Sequence, residues 1–114
     1  MAFSYGFVTP KSVDQMKAGL LQYGPLAVVI EADKYVFQSY KSGVLDSSAC
    51  GTQLDHAVLL VGMGRDETSG KDYWWVKNSW NTTWGDQGYI KLAVTGDDAG
   101  TCGVQSEPQY VVAN

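Results

Sequence analysis

Two side chains in this sequence have the types and surroundings needed for acid–base chemistry. His56 is the only histidine and precedes an apolar run at residues 57–61, whereas Asn78 stands two positions before Trp80. An imidazole works as a general base when one ring nitrogen faces a nucleophile and a hydrogen-bond partner on the other nitrogen fixes the tautomer. The Asn78 side-chain oxygen can accept that second hydrogen bond without adding a charge, and the Trp80 indole can keep water away from it. We therefore interpret these three residues as the base half of a site whose nucleophile is a cysteine.

Each of these residues also has a purely structural explanation. A lone histidine beside an apolar strand is more often part of the packing than a catalyst, an asparagine after a strand often caps a turn, and a tryptophan usually belongs to the core. The combination of all three is what favours the catalytic interpretation.

The composition is that of one globular domain with an acidic balance. The chain has 114 residues, of which 45% are hydrophobic and 18% are charged, and its formal net charge is −4. This length predicts a single domain, residues 1–114. The lack of a basic cluster argues against a nucleic-acid surface, and no apolar stretch reaches the ~20 residues that span a membrane. Residues 1–5 lack the basic start and apolar run of a signal peptide, so we expect any targeting segment to lie upstream.

The cysteine content favours a structural bridge. Cys50 and Cys102 are the only cysteines of the chain. An even pair in a small, acidic, glycine-rich domain favours a disulfide, with two buried thiols as the alternative. One histidine with two distant cysteines is a poor zinc-ligand set, so we expect no metal and no other cofactor.

The hydrophobic pattern predicts a mostly β domain with one main helix near its N-terminus. Ser12 is a suitable N-cap for that helix, and Gly24-Pro25 ends it. Leu26–Ile30 is a continuous apolar run, which predicts a strand buried on both faces. Further strands are expected at residues 57–61, 73–77, 89–94 and 110–113. The predicted fold class is α+β, mostly β, with a strongly twisted antiparallel sheet or open barrel around the helix.

Several segments together carry a resemblance to a known family. They include Leu54-Asp55-His56-Ala57, Lys77-Asn78-Ser79-Trp80 and Trp84-Gly85-Asp86-Gln87-Gly88-Tyr89-Ile90. In this order they closely resemble the papain-like, or cathepsin-like, cysteine peptidases, and the resemblance covers nearly the whole chain. It implies the C-terminal, β-rich right-hand domain of the papain-like fold.

The resemblance implies a role for each matching residue. His56 would be the acid–base partner of a catalytic cysteine, Asn78 would orient its ring, and Trp80 would shield the bond between them. Cys50 and Cys102 match a disulfide found in this half of many family members.

Further positions match the substrate-binding residues of the family. The pocket for the substrate side chain two residues before the cut has walls that match Val29, Leu54 and Ala57, and we assign Asp55 to substrate binding with them. Glu107 matches the pocket floor, where a carboxylate can pair with arginine as well as border apolar side chains. The alternative for Glu107 is an ordinary solvated carboxylate.

The catalytic cysteine of the family has no match in this sequence. In the family it lies in an N-terminal, mostly helical domain, within a Cys-Gly-Ser-Cys-Trp-like run. Cys50 is not a substitute, since it lies in a Gly/Thr loop without those neighbours. We therefore expect this chain to be the C-terminal half of such a peptidase, inactive alone, with an N-terminal catalytic-Cys domain as its partner and a peptide as its substrate. A face left uncovered predicts self-association or domain exchange.

Two positions depart from the usual pattern of the family. Asn81 stands where glycine is usual and forms the sequon Asn81-Thr82-Thr83, a potential glycosylation site. Met63 stands where a tyrosine is common, a swap that we expect the packing to tolerate.

Two functions remain as alternatives. The first is part of a papain-like endopeptidase that hydrolyses peptide bonds through a thioester. The second is a non-catalytic half-domain that serves as a scaffold or binding subunit. The presence of His56, Asn78 and Trp80 favours the first, since a scaffold has no need of all three. The family and its disulfide imply a lysosomal, vacuolar or extracellular location.

Overall fold

The computed structural model describes the backbone of residues 3–113 and the side chains of residues 5–111. The strands in that range are β1 Phe3–Phe7, β2 Leu26–Ile30, β3 Val44–Leu45, β4 His56–Arg65, β5 Asp72–Lys77, β6 Tyr89–Ala93 and β7 Gln109–Ala113. The helices are α1 Val13–Tyr23 and α2 Tyr35–Gln38, with 3₁₀ turns at Ser48–Cys50 and Thr101–Gly103.

The strands form one sheet in the order β1-β7-β2-β4-β5-β6-β3. Every neighbouring pair is antiparallel except β3 and β6, which run parallel. The predicted fold class, mostly β with one main helix, is confirmed. The sheet is open and mixed rather than wholly antiparallel, because the two-residue strand β3 joins the free edge of β6 in the parallel direction.

Helix α1 begins and ends where its capping residues predict. The Ser12 hydroxyl accepts a hydrogen bond from the backbone N–H of Gln15 at 3.3 Å, which satisfies a free donor at the helix start. Gly24 ends the helix with a positive φ of 80°, and its N–H donates to the Leu20 carbonyl at 3.0 Å. On the buried side, a Cβ added at Gly19 would lie 3.1 Å from Val8. The helix therefore packs closely on the chain that follows β1.

Strand β2 is fully buried on one face only. Leu26, Val28 and Ile30 are completely buried, whereas Ala27 and Val29 are half-buried. The expectation of burial on both faces is therefore wrong. A run of Ala, Val and Leu is apolar on both sides, so its pattern does not tell which side the domain covers. The half-buried face of β2 is the one that carries Val29.

The two 3₁₀ turns are joined by the disulfide Cys50–Cys102, which confirms the expected bridge. Its two cysteines are 52 residues apart in sequence. In the chain-entropy model, closing a loop of that length stabilises the folded state by about 4 kcal/mol. The backbone N–H of Glu31 donates to the Cys102 carbonyl at 2.8 Å. The bridged turns are therefore attached to the end of β2, close to the start of β4.

Candidate active site

The start of β4 and the end of β5 bring the predicted catalytic residues together. The two strands are antiparallel, and Leu59 pairs with Lys77. Continuing that register beyond the end of β5 places Trp80 opposite His56, with Asn78 on the chain between the strand end and Trp80. Residues far apart in sequence therefore meet at one end of the sheet.

The hydrogen bonds of Asn78 determine which nitrogen of His56 carries the proton. Oδ1 of Asn78 lies 2.8 Å from Nε2 of His56 and also accepts from the backbone N–H of Ser79 at 2.7 Å. A backbone N–H only donates, so the Asn78 atom that it contacts is the oxygen, and Nε2 must then carry the ring proton. Nδ1 of His56 has no hydrogen bond to any of the described side chains or backbone groups. In the neutral ring it is the basic nitrogen.

The Trp80 ring covers one side of this pair. Its centroid lies 5.5 Å from that of His56 with the planes 29° apart, and Asn78 is only 4% exposed. Water therefore has little access to the bond between the imidazole and the carboxamide. The low exposure of Asn78 lets a neutral hydrogen bond hold the ring against solvent competition.

An aromatic cluster fixes the orientation of Trp80. Phe37 of α2 and Trp84 each contact the Trp80 ring edge-on, at 5.5 and 5.3 Å between centroids. Trp84 in turn stacks on Phe37 at 4.9 Å, and its Nε1–H donates to the Gln38 carbonyl at 3.1 Å. Such pairs prefer the edge-to-face and offset arrangements seen here. Helix α2 therefore serves as the support for the indole that covers His56.

Asp55 braces the chain just ahead of His56. Its Oδ1 accepts from the backbone N–H of Ala32 at 2.8 Å, and its own N–H donates to the Ile30 carbonyl at 2.9 Å. These bonds join the end of β2 to the start of β4, where Ile30 pairs with His56. Asp55 also lines an open hollow of about 220 Å³ with His56 and Trp80.

A pair of carboxyl groups lies at the end of β2 beside this hollow. Glu31 is 1% exposed, and its Oε1 accepts from the backbone N–H of Gln53 at 2.7 Å. The pKa of Glu31 is lowered, chiefly by a hydrogen bond from the Asp33 side chain and then by the Gln53 bond and Lys34, whose Nζ lies 3.4 Å from Oε2. The pKa of Asp33 is raised, chiefly because its proton is held by that hydrogen bond to Glu31, with burial and the charges of Glu31 and Asp55 adding to it. The lowered pKa of Glu31 and the raised pKa of Asp33 therefore both favour a state in which Glu31 is ionised and Asp33 is protonated.

The predicted substrate-binding residues lie on neighbouring strands. Val29 of β2 pairs directly with Ala57 of β4. Ala27 pairs with Gln109 at the start of β7, and Glu107 lies two residues before that pair in the sequence. Glu107 is exposed.

Leu54 lies beside the same row of residues, on the segment that leads into β4. It is half-buried and packs on Gly103, where an added Cβ would lie 2.5 Å from its Cδ2. Gly103 follows the bridged Cys102 and precedes the chain that carries Glu107. Leu54 therefore joins the segment ahead of β4 to the bridged turn that precedes Glu107.

A second groove, of about 380 Å³, lies on the other side of the His56–Asn78 pair. It is lined by Ala57, Val58, Leu59, Lys77, Asn78 and Ser79. Leu59 is 39% exposed, and Met63 farther along β4 is 41% exposed. Leu59 therefore adds apolar surface to the groove that Asn78 lines, whereas the register shift after Leu60 puts Met63 opposite Trp74, on the other face of the sheet.

Asn81 is exposed in the turn that follows Trp80. Across residues 3–113, no three or more His, Cys, Asp or Glu side chains are grouped so that they could hold a metal ion. The helices of that same range are all too short or too polar to cross a membrane.

Sequence reasoning missed the residues that support the site from behind. The sequence of residues 35–40, which contains Phe37, does not distinguish a helical turn from a strand, and Trp84 belongs to a segment that carries the family resemblance. The signal that was present is the spacing of Trp80 and Trp84, which places two large rings near one another in a short turn.

The sequence of the chain is similar to that of known proteins. Residues 2–112 match the family model described as papain family cysteine protease. The chain is 47% identical over 108 residues to cathepsin L of Sarcophaga peregrina, covering 92% of this chain and 31% of that protein. It is 43% identical over 112 residues to a cysteine proteinase of Arabidopsis thaliana, covering 97% of this chain and 23% of that protein.

A similar solved structure gives the same result at the level of the fold. The bromelain protease of Ananas comosus superposes with a TM-score of 0.86 at 38% sequence identity, covering 96% of this chain and 50% of that one. The chain thus spans half of that structure, and about a quarter to a third of the curated relatives named above. By sequence and by fold, the chain belongs to the papain family of cysteine proteases.

Proposed function

We propose that this chain is the C-terminal half of a cysteine endopeptidase and supplies the base of its active site. The observation that carries the proposal is the His56–Asn78 hydrogen bond, which leaves Nδ1 of His56 as the only basic ring nitrogen. A thiol from an N-terminal domain would approach that nitrogen. On its own the chain is inactive, because neither of its cysteines is free: Cys50 and Cys102 are bonded to each other.

The reaction follows from the positions of these atoms. Nδ1 of His56 takes the proton of the incoming cysteine thiol, and the thiolate attacks the substrate carbonyl carbon. The imidazolium then gives its proton to the leaving amine as the carbon–nitrogen bond breaks, and a thioester forms. His56 next removes a proton from water, which attacks the thioester and releases the acid and the thiol. Throughout these steps Asn78 keeps the Nε2 proton in place, so the ring turns neither toward solvent nor away from the sulfur.

Substrate recognition is assigned to the row of side chains beside His56. Val29 and Ala57 present adjacent apolar surfaces across the β2–β4 pair, and Leu54 borders them. Glu107, two residues before the start of β7, is assigned to the floor of this pocket. A pocket of this kind accepts an apolar side chain, or an arginine whose guanidinium reaches the carboxylate.

The partner is an N-terminal domain that covers the outward face of β4. Leu59 is exposed there, and the groove that it lines extends to Asn78. Lys77 lines the same groove and makes no ion pair with any residue of the described part of the chain. A partner surface that is apolar with an acidic group at this point would fit it. Without that partner the exposed face favours self-association or domain exchange.

A lysosomal, vacuolar or extracellular setting is part of the proposal. A disulfide persists in oxidising compartments and is rare in the cytosol, and the Cys50–Cys102 bridge is of that structural type.

Reconstitution tests this function. The chain is mixed with the matching N-terminal half, and cleavage of a fluorogenic dipeptide amide is followed under conditions that keep the active-site thiol reduced. Activity is expected only in the mixture, and His56→Ala is expected to remove about two to four orders of magnitude of it. A mixture that binds but does not cleave, with either form of the chain, would instead favour the scaffold function.

A further inference from the structure

The turn directly after the catalytic residues contains a motif that the peptidase function does not use. Asn81-Thr82-Thr83 is the only Asn-x-Ser/Thr sequon in the chain, whose other asparagines are Asn78 and Asn114. Asn78-Ser79-Trp80 does not match the motif. The sequon begins at the residue that follows the indole covering His56.

The local geometry leaves the side-chain nitrogen of Asn81 unused. All three residues of the sequon are exposed. The Asn81 side-chain oxygen accepts from the backbone N–H of Thr83 at 3.2 Å and from the Thr82 hydroxyl at 3.3 Å, and the Asn81 carbonyl accepts from the N–H of Trp84 at 2.9 Å. The carboxamide thus holds the turn through its oxygen alone. Nδ2 of Asn81 donates to none of the described residues, so a substituent on it breaks no hydrogen bond of the fold.

We propose that Asn81 carries an N-linked oligosaccharide at the rim of the catalytic cleft. This modification rests on the proposed passage of the enzyme through a secretory compartment. The donor is an oligosaccharide linked to a lipid pyrophosphate. A bond forms between Nδ2 and the anomeric carbon, the bond from that carbon to the pyrophosphate oxygen breaks, the lipid pyrophosphate leaves with the electron pair, and Nδ2 gives up one proton.

The position of the glycan gives it a consequence for substrate choice. Asn81 comes three residues after Asn78 in the sequence and directly after Trp80. Trp80 is 36% exposed and lines the same hollow as Asp33, Asp55 and His56. A large, hydrated oligosaccharide next to this ring occupies space that a folded protein substrate would need. A dipeptide amide is small enough to bypass it. The glycan is therefore expected to lower cleavage of proteins more than cleavage of short peptides.

The test uses the full-length protein made from its complete coding region in a eukaryotic cell. Peptide-N-glycosidase is expected to increase the gel mobility of the wild-type protein, and mass spectrometry is expected to find the sugar on the peptide that contains Asn81. Thr83→Ala should abolish that shift, because the hydroxyl of the third position is required, whereas Thr83→Ser and Thr82→Ala should retain it.

A second sequon serves as the matched control. Glu67→Asn creates one with Thr68 and Ser69 in the exposed loop between β4 and β5. If the sugar is found at position 67 but never on Asn81, the proposal is overturned, because the same molecule was then available to the transferase. If position 67 and Asn81 are both modified, or Asn81 alone is, the proposal stands.

The outcome is separate from that of the peptidase proposal. The mobility shift and the glycopeptide need no catalytic activity, so a glycosylated but inactive protein would contradict the proposed function and leave this inference intact. In an active enzyme, glycosidase treatment should raise the rate on a folded protein substrate relative to that on a dipeptide amide. Thr83→Ala should show the higher ratio without treatment.

Discussion

His56 and Asn78 are 22 residues apart in sequence, yet Nε2 of one lies 2.8 Å from Oδ1 of the other. The contact exists because β4 begins and β5 ends at the same end of the sheet, and because the Asn78 oxygen already accepts a hydrogen bond from the N–H of Ser79. The carboxamide is therefore oriented by the backbone before it meets the ring. Its position does not depend on the protonation state of any neighbouring side chain.

Replacing Asn78 with alanine is expected to cost activity without unfolding the protein. It leaves the Nε2–H of His56 and the N–H of Ser79 without their acceptor, a loss of about 1–3 kcal/mol. The same free energy in the transition state corresponds to a roughly tenfold to hundredfold fall in kcat/KM. In the intact enzyme the loss should appear in kcat, with KM little changed, because Asn78 acts through His56.

The control for this variant is Asn78→Asp. A carboxylate can accept both hydrogen bonds, so it should retain more activity than alanine does. Its charge stabilises the imidazolium, so the pH profile of kcat/KM should differ from that of the wild type. Equal activity of the alanine, aspartate and wild-type proteins would show that Asn78 does not orient the ring.

Trp80→Phe is expected to weaken the cover over the catalytic pair. A phenyl ring is smaller than an indole and leaves part of the His56–Asn78 bond open to water. Aromatic contacts of this kind contribute about 0.5–1.5 kcal/mol, or a roughly twofold to tenfold fall in kcat/KM. Trp75→Phe is the matched control, since Trp75 stacks on Tyr89 of β6, away from His56. If both variants lose activity equally, the effect belongs to general packing.

Glu107→Gln is expected to change substrate preference rather than rate. Removing the carboxylate should lower kcat/KM for substrates with arginine two residues before the cut by roughly fivefold, a modest effect because the group is exposed. Substrates with an apolar residue at that position should be unaffected. The arginine preference of the wild type should also weaken with added salt. Glu67→Gln, in the exposed loop between β4 and β5, provides the control for a change in net charge.

The Glu31–Asp33 pair predicts a stability maximum at mildly acidic pH. Because the pKa of Asp33 is raised in the folded state, its contribution to the free energy of unfolding is present at low pH and is lost as pH rises through the folded-state pKa. Because the pKa of Glu31 is lowered in the folded state, its contribution to the free energy of unfolding is present above the unfolded-state pKa and is lost as pH falls through the folded-state pKa. Between these limits Glu31 is ionised and Asp33 is protonated, and Lys34 adds a positive charge beside Glu31.

Asp33→Asn isolates the alkaline side of this dependence. The asparagine amide donates to Glu31 without a titrating proton, so thermal unfolding should no longer move to lower temperature between mildly acidic and neutral pH. The loss on the acid side, which comes from Glu31, should remain. If the thermal unfolding midpoint of this variant follows that of the wild type at every pH, the proton on Asp33 contributes nothing to stability.

The sequence was sufficient to predict the elements with strong local signals. Ser12 and Gly24 delimit α1 because capping and left-handed backbone are local requirements. The disulfide followed from having two cysteines in a small domain. The parallel β3–β6 pair was not predictable, since a strand of two residues such as Val44–Leu45 carries no periodicity.

The supports of the site depend on tertiary contacts and were less visible. Phe37 packs against Trp80 and Trp84 only because α2 folds back over the turn after β5. Glu31 reads as a charged residue that ends a strand, yet it is buried because the loop after Cys50 closes over it and donates the N–H of Gln53. No local sequence pattern indicates the packing of Phe37 or the burial of Glu31.

The most direct test of the central claim is the protonation state of the two ring nitrogens of His56. This chain contains one histidine, so selective ¹⁵N labelling of histidine in this chain alone, in complex with an unlabelled N-terminal half, gives a single pair of imidazole nitrogen signals. For the neutral ring the account predicts a proton on Nε2, coupled to a hydrogen-bonded acceptor and lost from that environment in Asn78→Ala, with Nδ1 unprotonated. A neutral ring that carries its proton on Nδ1, or one whose nitrogen signals do not change when Asn78 is replaced, would contradict it.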